Sequence, residues 1–177
     1  MSPTHQRLIF AGVAVLVGAA AGLAARAAFQ ATATVPLADA AGAWIATLED
    51  AERARGVRPF TDASRTDWHF VPKPARKGVQ LRDMKPAQEE AALGLMRSML
   101  SEAGYEKSLA IMSLEEILRR LEGKKAKNIR DPKRYFFTVF GTPAETGTWS
   151  VSVEGHHLSF NVLVRDCLLY TSPSPRD

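Results

Sequence analysis

Residues 149–164 read WSVSVEGHHLSFNVLV, an alternation of apolar and polar side chains on either side of one glycine. A period of two belongs to strands with one covered face, and two such runs around a glycine belong to a β-hairpin. Placing Gly155-His156 as a two-residue type II′ turn uses the glycine where positive φ is needed. Glu154 then faces His157, Val153 faces Leu158, Ser152 faces Ser159, Val151 faces Phe160, Ser150 faces Asn161 and Trp149 faces Val162. Every apolar residue meets an apolar one, and a slip of one residue destroys the agreement.

The chain before the hairpin sets the rest of the fold. Tyr135 to Phe140 (YFFTVF) is apolar on both faces, as in a strand covered on two sides. Asp131 can cap the turn that leads into it, and Pro132 fixes the backbone there. Gly141, Pro143 and Gly147 mark the loop between this strand and the hairpin. Upstream, Asp39–Arg55 reads as a helix with Trp44, Ile45, Leu48 and Ala51 on one face and Gly56 at its end. Arg58–Val79, with Pro59, Pro72 and Pro74, reads as irregular with an extended piece at Trp68–Val71. Pro86 suits the first turn of a second helix that runs to about Ala103 and stops at Gly104. Its buried stripe is Ala92, Leu95, Met96, Met99 and Leu100, in which the methionines act as core filler. Ser113-Leu114-Glu115-Glu116 reads as a capping box opening a third helix. That helix should bury Leu114, Ile117, Leu118 and Leu121 and end at Gly123. The basic run Lys124, Lys125, Lys127, Arg130, Lys133 and Arg134 reads as a solvated loop. The fold class is therefore α+β: about three helices followed by an antiparallel meander or hairpin of at least three strands.

Both ends call for separate treatment. Met1–Arg7 carries no acid, Leu8–Ala25 is free of charge, and Ala25-Arg26-Ala27 offers small residues for a signal peptidase, so residues 1–27 read as an export signal or N-terminal anchor. Cys167–Asp177 (CLLYTSPSPRD) resembles one reading frame of a translated sequencing adaptor and is set aside as a non-native tail. Residues 28–62 then form an N-terminal helical segment, and residues 63–166 the first part of an α+β domain whose sheet is incomplete. On that reading the outer hairpin strand has no neighbour and invites aggregation. The chain's single cysteine excludes a disulfide framework and any multi-cysteine metal site. A net charge of +4 does not demand a polyanion, so no nucleic-acid partner is expected. Membrane contact is expected only through the N-terminus, and the location is periplasmic or secreted.

Glu154, His156 and His157 are the one acid–histidine cluster and hence the catalytic candidates. The derived register makes Glu154 and His157 cross-strand neighbours beside Ser152, Ser159 and Asn161. A glutamate there can orient an imidazole as a general base; the alternative is a solvated charge pair contributing about 0.2–1 kcal/mol. Arg130, Asp131 and Asn161 are the binding candidates. No metal is assigned: adjacent histidines point to opposite faces of a strand, His5 belongs to the signal, and His69 sits in the irregular segment. No cofactor is implied. Nucleophile elbows, phosphate-binding glycine loops and dinucleotide fingerprints do not occur.

Several motifs follow one another in a fixed order. They are Trp68-His69-Phe70-Val71-Pro72, Arg76-Lys77-Gly78-Val79, Gln88, and Leu100-Ser101-Glu102-Ala103-Gly104-Tyr105. Arg130-Asp131-Pro132 with Tyr135, Phe140-Gly141-Thr142-Pro143, Trp149 and Glu154-Gly155-His156-His157-Leu158-Ser159 complete the series. Over Trp68–Val164 the chain thus resembles the domain of unknown function 3500 family. The resemblance implies a bacterial, exported protein, usually longer than this chain, with no assigned reaction, and it makes the Glu-Gly-His-His segment a hallmark. Two functions stay open: a hydrolase-like or metal-assisted enzyme using that hairpin, and a non-catalytic ligand-binding protein of the periplasm or cell envelope.

Overall fold

The computed structural model describes residues 37–123, 127–166 and 168–171. The export signal read over 1–27, His5, Lys124, Lys125, Cys167 and residues 172–177 lie outside the described residues. Helix α1 spans 37–47 and α2 Asp50–Gly56, where one helix was expected. The break falls at Leu48–Glu49 because a new cap forms: the Glu49 backbone N–H donates to Glu52 Oε2 at 3.0 Å. Trp44 and Leu48 are buried as read and Ile45 packs against the core, but Ala51 is exposed. Two short strands follow in the stretch read as irregular, β1 (Val57–Arg58) and β2 (Val79–Gln80), while Trp68–Phe70 forms no strand.

Helix α3 (Pro86–Ser98) buries Ala92, Leu95 and Met96, and Met99 and Leu100 pack against the same core. It ends earlier than the glycine suggested. Ser101 caps α4 (Glu102–Glu122), and its Oγ accepts from Gly104 N–H at 3.2 Å, so Gly104 lies in a first turn rather than at a stop. The capping box at Ser113 does not form. Ser113 is inside α4 with its hydroxyl donating to Ala110 O at 2.7 Å, and Glu116 is taken by Arg119 and Arg120. Gly123 does end the helix, in the left-handed region at φ 58°. The face α4 buries is Ser108, Met112 and Glu115, whereas Leu114, Ile117 and Leu121 are 50, 52 and 77% exposed. Among the described residues, four α-helices thus precede the main strands.

Those strands are β3 (Phe136–Phe140), β4 (Thr148–Glu154), β5 (Ser159–Arg165) and β6 (Leu168–Thr171), in a mixed six-stranded sheet of order β1-β3-β4-β5-β6. β1 runs parallel to the C-terminal half of β3, and β2 runs antiparallel to its N-terminal half. One face, with Phe137, Val139, Val151, Val153, Val162 and Val164, meets the helices; Trp44 tilts against Phe137 with ring centroids 6.1 Å apart. Each such fully buried side chain contributes about 1.5–3 kcal/mol through its removal from water. The opposite face carries Thr138, Ser150, Ser152 and Glu154, all buried. β3 is therefore covered on both sides, as its sequence requires.

The hairpin forms, but two residues out of the derived register: Glu154 pairs with Ser159, Val153 with Phe160, Ser152 with Asn161 and Val151 with Val162. Gly155–Leu158 is the loop, with Gly155 N–H donating to Leu158 O at 2.8 Å and His157 at φ 57°. A shift of two keeps every side chain on its face, so alternation could not exclude it. The outer strand also has a neighbour, since β5 pairs with β6 from Val162–Thr171 to Arg165–Leu168. Asp166 turns the chain between them at φ 49°, a conformation aspartate tolerates better than most residues.

Candidate functional site

The loop that closes the hairpin is held from three sides. The Tyr135 ring lies so close over Gly155 that an added Cβ would stand 2.1 Å from its Cδ1; the glycine is needed for that approach rather than for the turn. Tyr135 Oη donates to His156 O at 3.0 Å, and His157 N–H donates to Phe70 O at 2.8 Å. These bonds turn the His156 side chain inward, to 14% exposure, and leave His157 exposed.

Inside, His156 Nδ1 meets Glu115 Oε1 of α4. The Glu115 side chain is 6% exposed, and Arg130 NH1 stands 3.7 Å from its second oxygen. The same guanidine nitrogen lies 3.1 Å from His156 Nδ1. The two neighbours pull in opposite directions: a carboxylate only accepts and calls for a hydrogen on Nδ1, while an arginine only donates. A hydrogen on Nδ1 donated to Glu115 satisfies the buried carboxylate, and that tautomer has its lone pair on Nε2. Nε2 has no hydrogen-bond partner among the described residues. Arg130 is fixed in turn by Glu122, with Nε–Oε2 at 3.0 Å and NH2–Oε1 at 2.7 Å. That hydrogen bond holds the Glu122 carboxyl below its ordinary range and the Arg130 guanidinium above its own. Burial, then the nearby Glu115 charge, pushes the Tyr135 phenol well up.

His156 opens on a cavity of about 300 Å³ beside α4, walled by Ile111, Leu114, Ile117 and Leu118 with Glu115 and His157. Among the described residues, no hydroxyl or thiol lines it.

Glu154 does something else. Its carboxylate is 4% exposed and pairs with Lys77 Nζ and, at 3.4 Å, with Arg76 NH1; Ser152 Oγ donates to it at 2.7 Å. Arg76 also donates to Gly155 O at 3.2 Å and to the carbonyls of His69 and Val71, which ties the irregular 59–78 segment to the hairpin. Burial draws the Arg76 guanidinium below its ordinary value. The expected Glu154–His157 pair and its solvated face are thus both replaced: Glu154 is buried, and its partners are cations from another segment.

Of the binding candidates, Arg130 joins the histidine, so it is not part of a solvated loop. Asp131 accepts from Lys133 N–H at 2.8 Å and pairs with Arg82, as befits a turn before β3. Asn161 lies apart from both groups, across from Ser152. Among the described residues, no three His, Cys, Asp or Glu side chains gather to hold a metal ion. No helix there is long and apolar enough to cross a membrane.

Glu115, Tyr135, Arg76 and Lys77 were missed as site residues. For Glu115 a signal existed: Ser108, Met112 and Glu115 recur at the i, i+4, i+7 spacing of one helix face. A carboxylate in such a stripe is buried only when paired.

Residues 30–175 match a family described as "Protein of unknown function (DUF3500)". No curated protein and no solved structure matches the chain.

Proposed function

The chain belongs to the DUF3500 family, whose description assigns no reaction, and from the geometry of its site we propose a hydrolase-like enzyme in which His156 is the general base. The observation that carries this reading is the Glu115 carboxylate on His156 Nδ1, which leaves Nε2 unpartnered beside an apolar cavity. A carboxylate behind an imidazole fixes its tautomer and stabilises the imidazolium that forms when the ring takes a proton. Since no hydroxyl or thiol of the described residues lines the cavity wall, the nucleophile in this reading is water. Nε2 takes a proton from water, the oxygen attacks an acyl carbonyl, and the imidazolium returns the proton to the leaving group. Ile111, Leu114, Ile117 and Leu118 fit a substrate with an uncharged, apolar acyl or aryl part.

The metal-assisted version has less support, because Arg130 sets a positive charge 3.1 Å from Nδ1. Export to the periplasm or outside the cell is part of the proposal, supported by the charge-free run at 8–25. The test is hydrolysis of p-nitrophenyl esters of graded acyl length by the purified chain, beside His156→Ala. The reading requires turnover that falls by about 10²–10⁴ in the variant, the usual contribution of a positioned acid–base group. Equal turnover by both proteins would end it. Saturable binding of the esters without turnover would favour the second reading, a ligand-binding protein that uses the same apolar cavity.

A further inference from the structure

A second cavity, of about 160 Å³, lies on the other side of the hairpin, between the 65–68 segment and the polar face of β4 and β5. Four of its lining residues carry polar groups left unused among the described residues. Ser150 is 6% exposed, and its Oγ has no hydrogen-bond partner among the described residues. Leaving a buried hydroxyl unpaired costs about 1–3 kcal/mol, a cost that a bound acceptor or donor would remove. Asn161 makes one long contact, Nδ2 to Ser159 Oγ at 3.5 Å, and its amide oxygen has no partner among the described residues. Arg65 lies over the Phe60 ring at 4.4 Å and donates through Nε to Phe60 O at 3.1 Å; its two terminal nitrogens make no hydrogen bond among the described residues. Trp68 is half-buried, and its indole N–H is likewise unengaged among them.

We propose that this cavity binds an acidic sugar, a hexuronate. A pyranose ring has an apolar C–H face that suits an indole and a rim of hydroxyls that both donate and accept. A hydroxyl and an amide, which also do both, can satisfy that rim. The Arg65 guanidinium sets the charge: its planar fork takes a carboxylate through two hydrogen bonds, stronger than bonds to a neutral group. The site shares no residue with the His156 cavity and does not depend on the hydrolase reading.

The test is titration of the full chain with D-glucuronate and, separately, D-glucose, followed by calorimetry and by tryptophan fluorescence. Of the three tryptophans, Trp44 and Trp149 are fully buried, so a fluorescence change reports on Trp68. Glucuronate should bind saturably and at least about tenfold tighter than glucose, with Arg65→Gln and Asn161→Ala each weakening it about tenfold or more. Both variants should melt like the parent, and His156→Ala should leave glucuronate binding unchanged. Absence of saturable glucuronate binding, equal affinity for the two sugars, or parental affinity in either variant would overturn the proposal. If one variant fails to fold, the other decides.

Discussion

The Nδ1 atom of His156, in the hairpin loop, rests on the carboxylate of Glu115, 41 residues earlier in the middle of α4. Neither residue is held by its own element alone. Tyr135 and Phe70 bond the backbone of the loop, and Arg130 bridges Glu115 to Glu122. An imidazole aligned in this way needs the sheet, the long helix and the turn before β3 to be assembled together.

Replacing Glu154 by Gln should destabilise the chain by about 3–5 kcal/mol, because Arg76 and Lys77 would stay buried without their counter-charge. Urea unfolding of the variant beside the parent measures this. A loss below 1 kcal/mol would mean that the cations find water instead.

Gly155→Ala should cost about 1–3 kcal/mol through overlap with the Tyr135 ring. In a double-mutant cycle with Tyr135→Leu, the combined loss should be smaller than the sum of the single losses, since the second change removes the obstacle. Additive losses would show that the two residues do not touch.

Leu121 is 77% exposed, so Leu121→Glu should change stability by less than about 0.5 kcal/mol. A loss of 2 kcal/mol or more, at the level of core truncations, would place this face of α4 in contact.

Tyr135 gives a pH test. Its phenol is pushed up in the folded chain, chiefly by burial, so the folded state resists losing that proton. Stability is complete below the ordinary tyrosine range, about pH 10, and declines as pH rises through and above it, because the unfolded chain ionises first. Relative to Tyr135→Phe, the parent should lose up to about 1.4 kcal/mol per pH unit there. Parallel curves for the two proteins would contradict the burial.

Much of this architecture was readable from the chain, for definite reasons. Tyr135–Phe140 and the two arms of the hairpin announce themselves because strand periodicity and burial coincide. The register did not, since a shift of two preserves the alternation and the obstacle at Gly155 is the ring of Tyr135, just before β3. The stripe Leu114, Ile117 and Leu121 misled because apolar periodicity marks a face without saying that something covers it. His156 was visible as a candidate by residue type. Its partner Glu115 shows in the sequence only as a polar member of the stripe Ser108, Met112 and Glu115, which marks a buried face without naming the partner 41 positions away. Arg76 and Lys77 looked like ordinary loop cations, and only the assembled fold puts Glu154 between them.

The most direct test of the site is the protonation pattern of His156 in long-range ¹⁵N–¹H spectra, assigned among the four histidines by comparison with His156→Ala. The account predicts that neutral His156 carries its hydrogen on Nδ1 in the parent and loses that preference in Glu115→Gln. A hydrogen on Nε2 in the parent, or a spectrum unchanged by Glu115→Gln, would contradict it.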